Sequence, residues 1–255
     1  MNVDPATVQH WGVLPTLFKI GNIEISSYSF MVLMALIVGG IIYYVGSRKE
    51  TEKDENAFYI PIAALIGGIL GAKIPEWIGN YSSISDTYHA TDLLFTGRTI
   101  VGGLIGGMLS VLLVKKLLGI KGRRGNFFAP AVAAGLAIGR VGCFMGGCCY
   151  GVSTSLPWGV NFGDNIPRHP TQLYEAAFAL GMFIYLEYKK KNSSFIPPGK
   201  LFDIFLNSYF IFRFSVEFIR VHPPVLFGLT LYQLLSLAAL IYINRRILFL
   251  KWRSS

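Results

Sequence analysis

The sequence predicts an all-α integral membrane protein of about seven transmembrane helices, with the amino terminus outside and the carboxyl terminus in the cytoplasm. Three observations carry this. The 255 residues are 53% hydrophobic and only 15% charged, with a mean hydropathy of +0.49, whereas a soluble domain carries about 25% charged residues. The apolar residues fall in unbroken runs of about 17–24, the length that spans a hydrocarbon core about 30 Å thick. The basic residues, finally, gather in every second connection.

The spans are expected at 26–46, 57–79, 99–120, 126–142, 169–188, 200–220 and 228–249. Residues 1–25 lack the basic start and small-residue cleavage site of a signal peptide. With Asp4, Pro5, Pro15 and the apolar pair Leu17 and Phe18, they suit a short segment lying on the membrane surface. Leu65-Ile-Gly-Gly68 in the second span is echoed by Leu104-Ile-Gly-Gly107 in the third. Such small residues let membrane helices approach closely; Gly102 and Gly103 could instead admit a lipid headgroup. No hydrophilic stretch is long enough for a second domain, so residues 1–255 are expected to form one polytopic membrane domain.

The net charge of +9 is a topology signal rather than a nucleic-acid footprint. Arg48, Lys49 and Lys53 follow the first span; Lys115, Lys116, Lys121, Arg123 and Arg124 join the third and fourth; Lys189, Lys190, Lys191 and Lys200 join the fifth and sixth; Arg245, Arg246, Lys251 and Arg253 end the chain. By the positive-inside rule these segments are cytoplasmic. No nucleic-acid partner is expected, and no P-loop, Rossmann glycine pattern or HExxH is present.

Charged side chains inside a span cost roughly 2.5–3.5 kcal/mol each even on lenient insertion scales, so they ask for a reason. Given this topology, Lys73, Glu76, Arg140, His169, Glu175, Arg213, Glu217 and Arg220 all fall in the outer half, and only Asp203 on the cytoplasmic side. Arg213, Glu217 and Arg220 stand at i, i+4 and i+7, one helical face. His169, Gln172 and Glu175 form a similar stripe. One reading is that ion pairs tie helices together. Against it, Lys73, Arg140, Arg213 and Arg220 outnumber the carboxylates, and an anionic ligand would balance them. A guanidinium fork fits phosphate, and a phospholipid headgroup supplies one at this depth. Arg220, Glu76 and Arg98 lie near the water interface, where a solvated side chain is the plainer reading. Tyr28 reads first as a membrane-belt aromatic, and His169, before Pro170, as a helix cap.

All three cysteines lie in Cys143-Phe-Met-Gly-Gly-Cys148-Cys149. This spacing matches no common zinc or haem pattern, so neither metal nor cofactor is expected. Adjacent Cys148 and Cys149 would pair only with strain. The thiols are either inert packing or a reactive site, with Arg140 lowering the pKa of Cys148 to make a nucleophile.

The chain resembles the prolipoprotein diacylglyceryl transferase family over nearly its whole length. The resemblance rests on Pro15-Thr-Leu-Phe-Lys-Ile-Gly21, Tyr28, Gly71-Ala-Lys73, Gly102-Gly-Leu-Ile-Gly106, Gly139-Arg140-x-Gly142 through Gly151, Arg168-His-Pro-Thr-Gln-Leu-Tyr-Glu175, Arg213-Phe-Ser-Val-Glu217-Phe and Gln233-Leu-Leu-Ser236. It implies a multi-pass protein of the bacterial plasma (inner) membrane. The implied reaction transfers the diacylglyceryl group of phosphatidylglycerol to the lipobox cysteine of a preprolipoprotein, with arginines stabilising the departing phosphate. Arg140, Arg213, Glu217 and Tyr28, with Cys148, are then the catalytic candidates. Lys73, Gly102, Gly103, Cys143, Gly151, His169, Gln172 and Glu175 are the substrate-binding ones. The chain departs from the pattern at four places. Lys73 stands where arginine is usual, Val101 where histidine is common, Cys143 where asparagine is expected and Cys148 where glutamate is. A divergent transferase acting on a thiol or another acceptor is the leading expectation. A noncatalytic protein that binds or moves anionic phospholipid, and a thiol redox membrane protein, are the alternatives.

Overall fold

The computed structural model describes residues 12–21, 23–51, 58–79, 99–120 and 124–253. Residues 1–11 of the expected surface segment, Arg98, and the loop cations Lys53, Lys121 and Arg123 lie outside the described residues, as does the side chain of Glu76. Seven α-helices are described: α1 Ser27–Thr51, α2 Tyr59–Gly79, α3 Ile100–Leu117, α4 Gly125–Met145, α5 Thr171–Asn192, α6 Lys200–Val216 and α7 Leu231–Arg253. Ser27–Arg48, Ile100–Leu117 and Gly125–Met145 are long and apolar enough to cross a membrane, and Tyr59–Pro75 is a shorter apolar helix. Leu33, Leu36, Ile37, Ile41 and Val45 are exposed along α1, and Leu65, Ile66, Ile69 and Leu70 along α2. Apolar surface displayed on helix after helix is what a lipid solvent calls for and water does not.

Three short antiparallel pairs complete the fold: β1 Thr16–Ile20 with β2 Ile23–Ser26, β3 Val160–Asn161 with β4 Pro167–Arg168, and β5 Pro224–Leu226 with β6 Leu229–Thr230. The first is a hairpin within the segment expected to lie on the membrane surface. Its turn is at Gly21, whose φ is +58°, a conformation that costs glycine little.

The chain divides into two compact units, Met1–Ser47 with Arg123–Leu206 and Val216–His222, and Arg48–Gly122 with Asn207–Ser215 and Pro223–Ser255. In the first, small residues set the packing. The position of a Cβ on Gly39 would lie 3.2 Å from the Ala131 carbonyl, and one on Gly135 lies 3.3 Å from that of Ala35, so α1 and α4 touch through their backbones. Ala129, Ala133 and Ala179 are fully buried where α4 and α5 pack. Asn126 fixes the start of α6, donating to the Pro197 carbonyl at 3.0 Å and accepting from Leu201 N at 2.9 Å.

In the second unit α2 and α3 pack along glycines. Pro75 has no N–H to give to the carbonyl of Gly71, four residues back, and Gly102 lies against that carbonyl: a Cβ there would sit 2.2 Å from it. Thr99 N and Oγ1 both donate to the Ala72 carbonyl, at 2.8 and 3.1 Å. A Cβ on Gly106 would lie 2.4 Å from the Gly67 carbonyl and 2.7 Å from Gly71 Cα. These contacts are backbone against backbone and have no slack. Gly106→Val is therefore expected to separate α2 from α3. Thermal unfolding in detergent checks this: a melting temperature within a degree of the native protein would contradict it.

Most helix limits shift by a few residues from expectation, and two of the shifts move candidate site residues out of a helix. The sixth span, expected to reach 220, ends as α-helix at Val216 and continues as a 3-10 turn, Glu217–Ile219, to Arg220 in extended conformation at φ −96°, ψ 160°. Pro223 and Pro224 follow closely, and proline disfavours helix in the residue before it. Arg220 is thus not the third member of a helical stripe. The fifth span starts at Thr171 rather than 169, which leaves His169 outside the helix.

Candidate active site

The cysteine segment is built on the end of α4. Cys148 N donates to the Cys143 carbonyl at 3.1 Å and Gly147 N to that of Phe144 at 3.0 Å, with Gly147 at φ +67°. This is a Schellman cap, whose geometry brings the residue after the left-handed glycine back against the third residue from the helix end. Here those two residues are Cys148 and Cys143. Cys149 then takes φ +65°, a left-handed conformation rare for a non-glycine residue. Its carbonyl accepts from Thr171 Oγ1 at 2.8 Å and from an Arg220 guanidinium nitrogen at 2.9 Å. The Cys148 carbonyl accepts from Gln172 Nε2 at 2.5 Å. The start of α5 and Arg220 therefore hold the loop by its backbone. The three Sγ atoms come within 4.8 Å of one another, an arrangement the spacing did not announce.

Beside the loop is a buried ionic cluster. Glu175, fully buried, bonds Arg140 through one oxygen at 2.5 Å and Arg220 through the other at 3.3 Å. Arg140 is 5% exposed and also points a nitrogen at Cys143 Sγ, 3.9 Å away. Arg220, expected as a solvated interfacial side chain, is instead 9% exposed and central to the cluster. Among the described residues, Arg220 Nε and Gln172 Oε1 are buried atoms with no hydrogen-bond partner. Polar atoms of this kind are costly unless a water or ligand completes them.

Hydrogen bonding sorts the two exposed-side thiols. Cys148 is pushed well above the ordinary thiol range because its hydrogen bonds with Cys143 and Cys149 favour the neutral form, and burial adds to this. Cys149 is held well below that range by hydrogen bonds from Cys143 and Cys148, with the charges of Arg140 and Arg220 assisting. Within this hydrogen-bonded trio the shift is therefore upward at Cys148 and downward at Cys149.

The other candidates occupy distinct places. Tyr28 opens α1 beside the loop, its Cβ 3.4 Å from the position of a Cβ on Gly146. Glu217 is buried and meets His222 Nδ1 at 2.7 Å. Gly151 is pinned between two backbones, in bridge pairing with Arg220, and a Cβ there would lie 2.4 Å from the Ile219 carbonyl. His169 Nδ1 lies 3.2 Å from the Tyr174 hydroxyl, which also accepts from Trp158 Nε1 at 2.9 Å. The helical stripe expected of His169 reduces to Gln172 and Glu175, both fully buried on α5. Arg213, in the second unit, is 3% exposed and stacks its guanidinium 5.5 Å from the centre of the Tyr232 ring. Lys73 is half-buried on α2. Gly102 and Gly103 face the α2 backbone, which accounts for them as packing.

Thr171 and His222 were not among the expected site residues, Cys149 was expected only as one of three clustered thiols, and Arg220 was expected at the water interface rather than within a buried cluster. For Cys148 and Cys143 a signal existed in Cys-x-x-Gly-Gly-Cys, since glycine at the penultimate place marks a Schellman cap.

The family model for prolipoprotein diacylglyceryl transferase matches residues 15–248. The chain belongs to this family. Among its relatives, the phosphatidylglycerol–prolipoprotein diacylglyceryl transferase of Clostridium tetani (strain Massachusetts / E88) is 34% identical, with 82% of this chain and 86% of the relative covered. The enzyme of the same name from Solidesulfovibrio magneticus is 32% identical over 89% of this chain and 91% of its own. That of Geobacter sulfurreducens is 32% identical over 84% and 85%. Membership covers the Arg140–Glu175–Arg220 cluster and the cysteine loop alike, since both lie inside the matched region.

Proposed function

We propose that the protein is a multi-pass enzyme of the bacterial plasma membrane, a single polytopic domain. It moves the diacylglyceryl group of phosphatidylglycerol to the thiol of a preprolipoprotein at the outer face. The buried Arg140–Glu175–Arg220 cluster beside a thiol loop, in a chain of this family, carries the reading. The acceptor sulfur attacks the glyceryl carbon, the carbon–oxygen bond to phosphate breaks, and glycerol phosphate leaves. Negative charge grows on the leaving phosphate in the transition state, where a fixed guanidinium in a dry site acts most strongly. Arg140 and Arg220 supply the guanidinium forks beside the thiol loop, and Arg213 is a further arginine assigned to phosphate by its match to the family pattern. Glu175 holds Arg140 and Arg220 in place, and Gln172 and Thr171 fix the loop beside them. Glu217 with His222, Tyr28 and His169 are the remaining polar groups for proton transfer and headgroup contact, and Lys73 is an added cation for the donor lipid.

Incubating the purified protein with labelled phosphatidylglycerol and a lipobox peptide tests the function. The expected product is a peptide heavier by one diacylglyceryl group on its cysteine, with glycerol phosphate released in equal amount. Bound but unconsumed lipid would support instead a protein that binds or moves phospholipid, and peptide oxidised without lipid transfer a thiol redox protein.

The proposed orientation predicts a labelling pattern. Single cysteines placed near Arg123 and Lys190, in a background without the native three, are expected to react with an impermeant reagent only after the cytoplasmic face is opened. Labelling in intact cells would reverse the topology.

A further inference from the structure

We infer that Cys143, Cys148 and Cys149 form a three-thiolate site for a thiophilic divalent cation of the zinc class, whose open fourth position takes the sulfur of the acceptor. The inference rests on the transferase reading for the identity of that fourth ligand; the metal site stands on geometry alone. All three Sγ atoms already lie within 4.8 Å of one another. Tetrahedral zinc with Zn–S bonds of about 2.3 Å needs sulfurs about 3.8 Å apart, so rotation of the side chains suffices. The loop is prepared for this rather than merely permissive of it. The Schellman cap sets Cys148 against Cys143, and a left-handed residue is used at Cys149 where glycine would be cheaper. Gln172, Thr171 and Arg220 each hold the backbone of the two outer cysteines by a carbonyl. Residues that brace ligands in this way are the usual support of a metal centre.

Charge and access agree. A divalent cation with three thiolates carries one negative charge, and Arg140, Arg220 and Glu175 together carry one positive. All three members of the cluster are partly buried, with Cys143 the most enclosed residue and Cys149 the most exposed, so the sulfurs are not sealed from outside. Three protein ligands and an open position are the signature of a catalytic zinc rather than a structural one. Bound there, the acceptor thiol releases its proton to solvent and stays a nucleophile at neutral pH. The metal–sulfur bond opens as the carbon–sulfur bond forms, and glycerol phosphate leaves with the electrons of the broken carbon–oxygen bond. Arg140, 3.9 Å from Cys143 Sγ, then lies where that phosphate departs.

The full-length protein in detergent, stripped with a chelator and reloaded without any lipid, tests this. One equivalent of zinc is expected to be retained, and cobalt(II) in its place should show sulfur-to-metal charge-transfer absorption. Each of Cys143→Ser, Cys148→Ser and Cys149→Ser should weaken zinc binding by more than the roughly 10–100-fold that a merely supporting residue costs. In the unsubstituted protein, zinc should protect all three thiols from alkylation, a readout independent of how the variants fold. A lipobox peptide should change the cobalt spectrum, and its cysteine-to-serine version should not. Retention of no more metal than in the triple serine variant, full alkylation with zinc present, or loss of two hydrogens by mass as a disulfide would overturn the site. A cobalt spectrum indifferent to the cysteine peptide would overturn the acceptor's place in it. Failure of lipid transfer beside an intact cobalt response would count against the proposed function and leave the site standing.

Discussion

Arg140→Ala is expected to lower diacylglyceryl transfer by roughly 10²–10³-fold in kcat, the usual loss when one fixed donor to a developing charge is removed. The loss should appear in turnover more than in KM. A guanidinium that meets a leaving phosphate acts most strongly once charge has moved there, not in the resting lipid. Arg140→Lys should recover little, because a point charge cannot bond Glu175 and a phosphate through a planar fork at the same time. The lysine variant also separates chemistry from folding, since it keeps a cation beside Glu175, which Arg140 meets at 2.5 Å. Steady-state kinetics with phosphatidylglycerol and a lipobox peptide decide the matter. Native turnover in the lysine variant would remove Arg140 from the reaction.

Glu175→Gln should act on stability first. Glu175 is fully buried and shared between two guanidiniums that are themselves 5% and 9% exposed. Removing one partner of a buried ion pair costs about 3–5 kcal/mol, because the charge left behind has neither water nor its counterion. The amide keeps the shape and loses the charge, so the deficit is electrostatic and not a cavity. A large fall in melting temperature in detergent is expected, with activity lost in proportion to the unfolded fraction at low temperature and beyond it if the arginines relax. A variant as stable as the native protein would show that Arg140 and Arg220 find other counterions. Comparison with Glu217→Gln is useful here: Glu217 meets His222, which is only partly buried, so the same change should cost less.

The helices were legible because membrane helices obey a local rule. Twenty or so apolar residues in a row must satisfy their backbone within the segment once lipid replaces water, and no distant contact is needed to say so. Thus α1, α2 and α3 lie close to where the apolar runs placed them, and Arg140 and Glu175 were singled out simply because charge is costly there. Family membership was legible as well, since it lies in the order of short motifs from Pro15 to Ser236. Side-chain pairing was not. Nothing local in Arg220 says that it turns inward. The α-helix must first stop at Val216, and the extended backbone must then pair with Gly151 before its guanidinium can reach Glu175, 45 positions earlier. Likewise three thiols at a spacing foreign to zinc converge only because a left-handed Gly147 and a left-handed Cys149 fold the chain back on α4. By itself the sequence determined a many-helix membrane protein of this transferase family, with buried charge in need of an explanation. Which charges share a carboxylate, and which sulfurs share a space, was decided by tertiary structure, because ion pairs and ligand sets depend on distances that separate segments acquire only on packing.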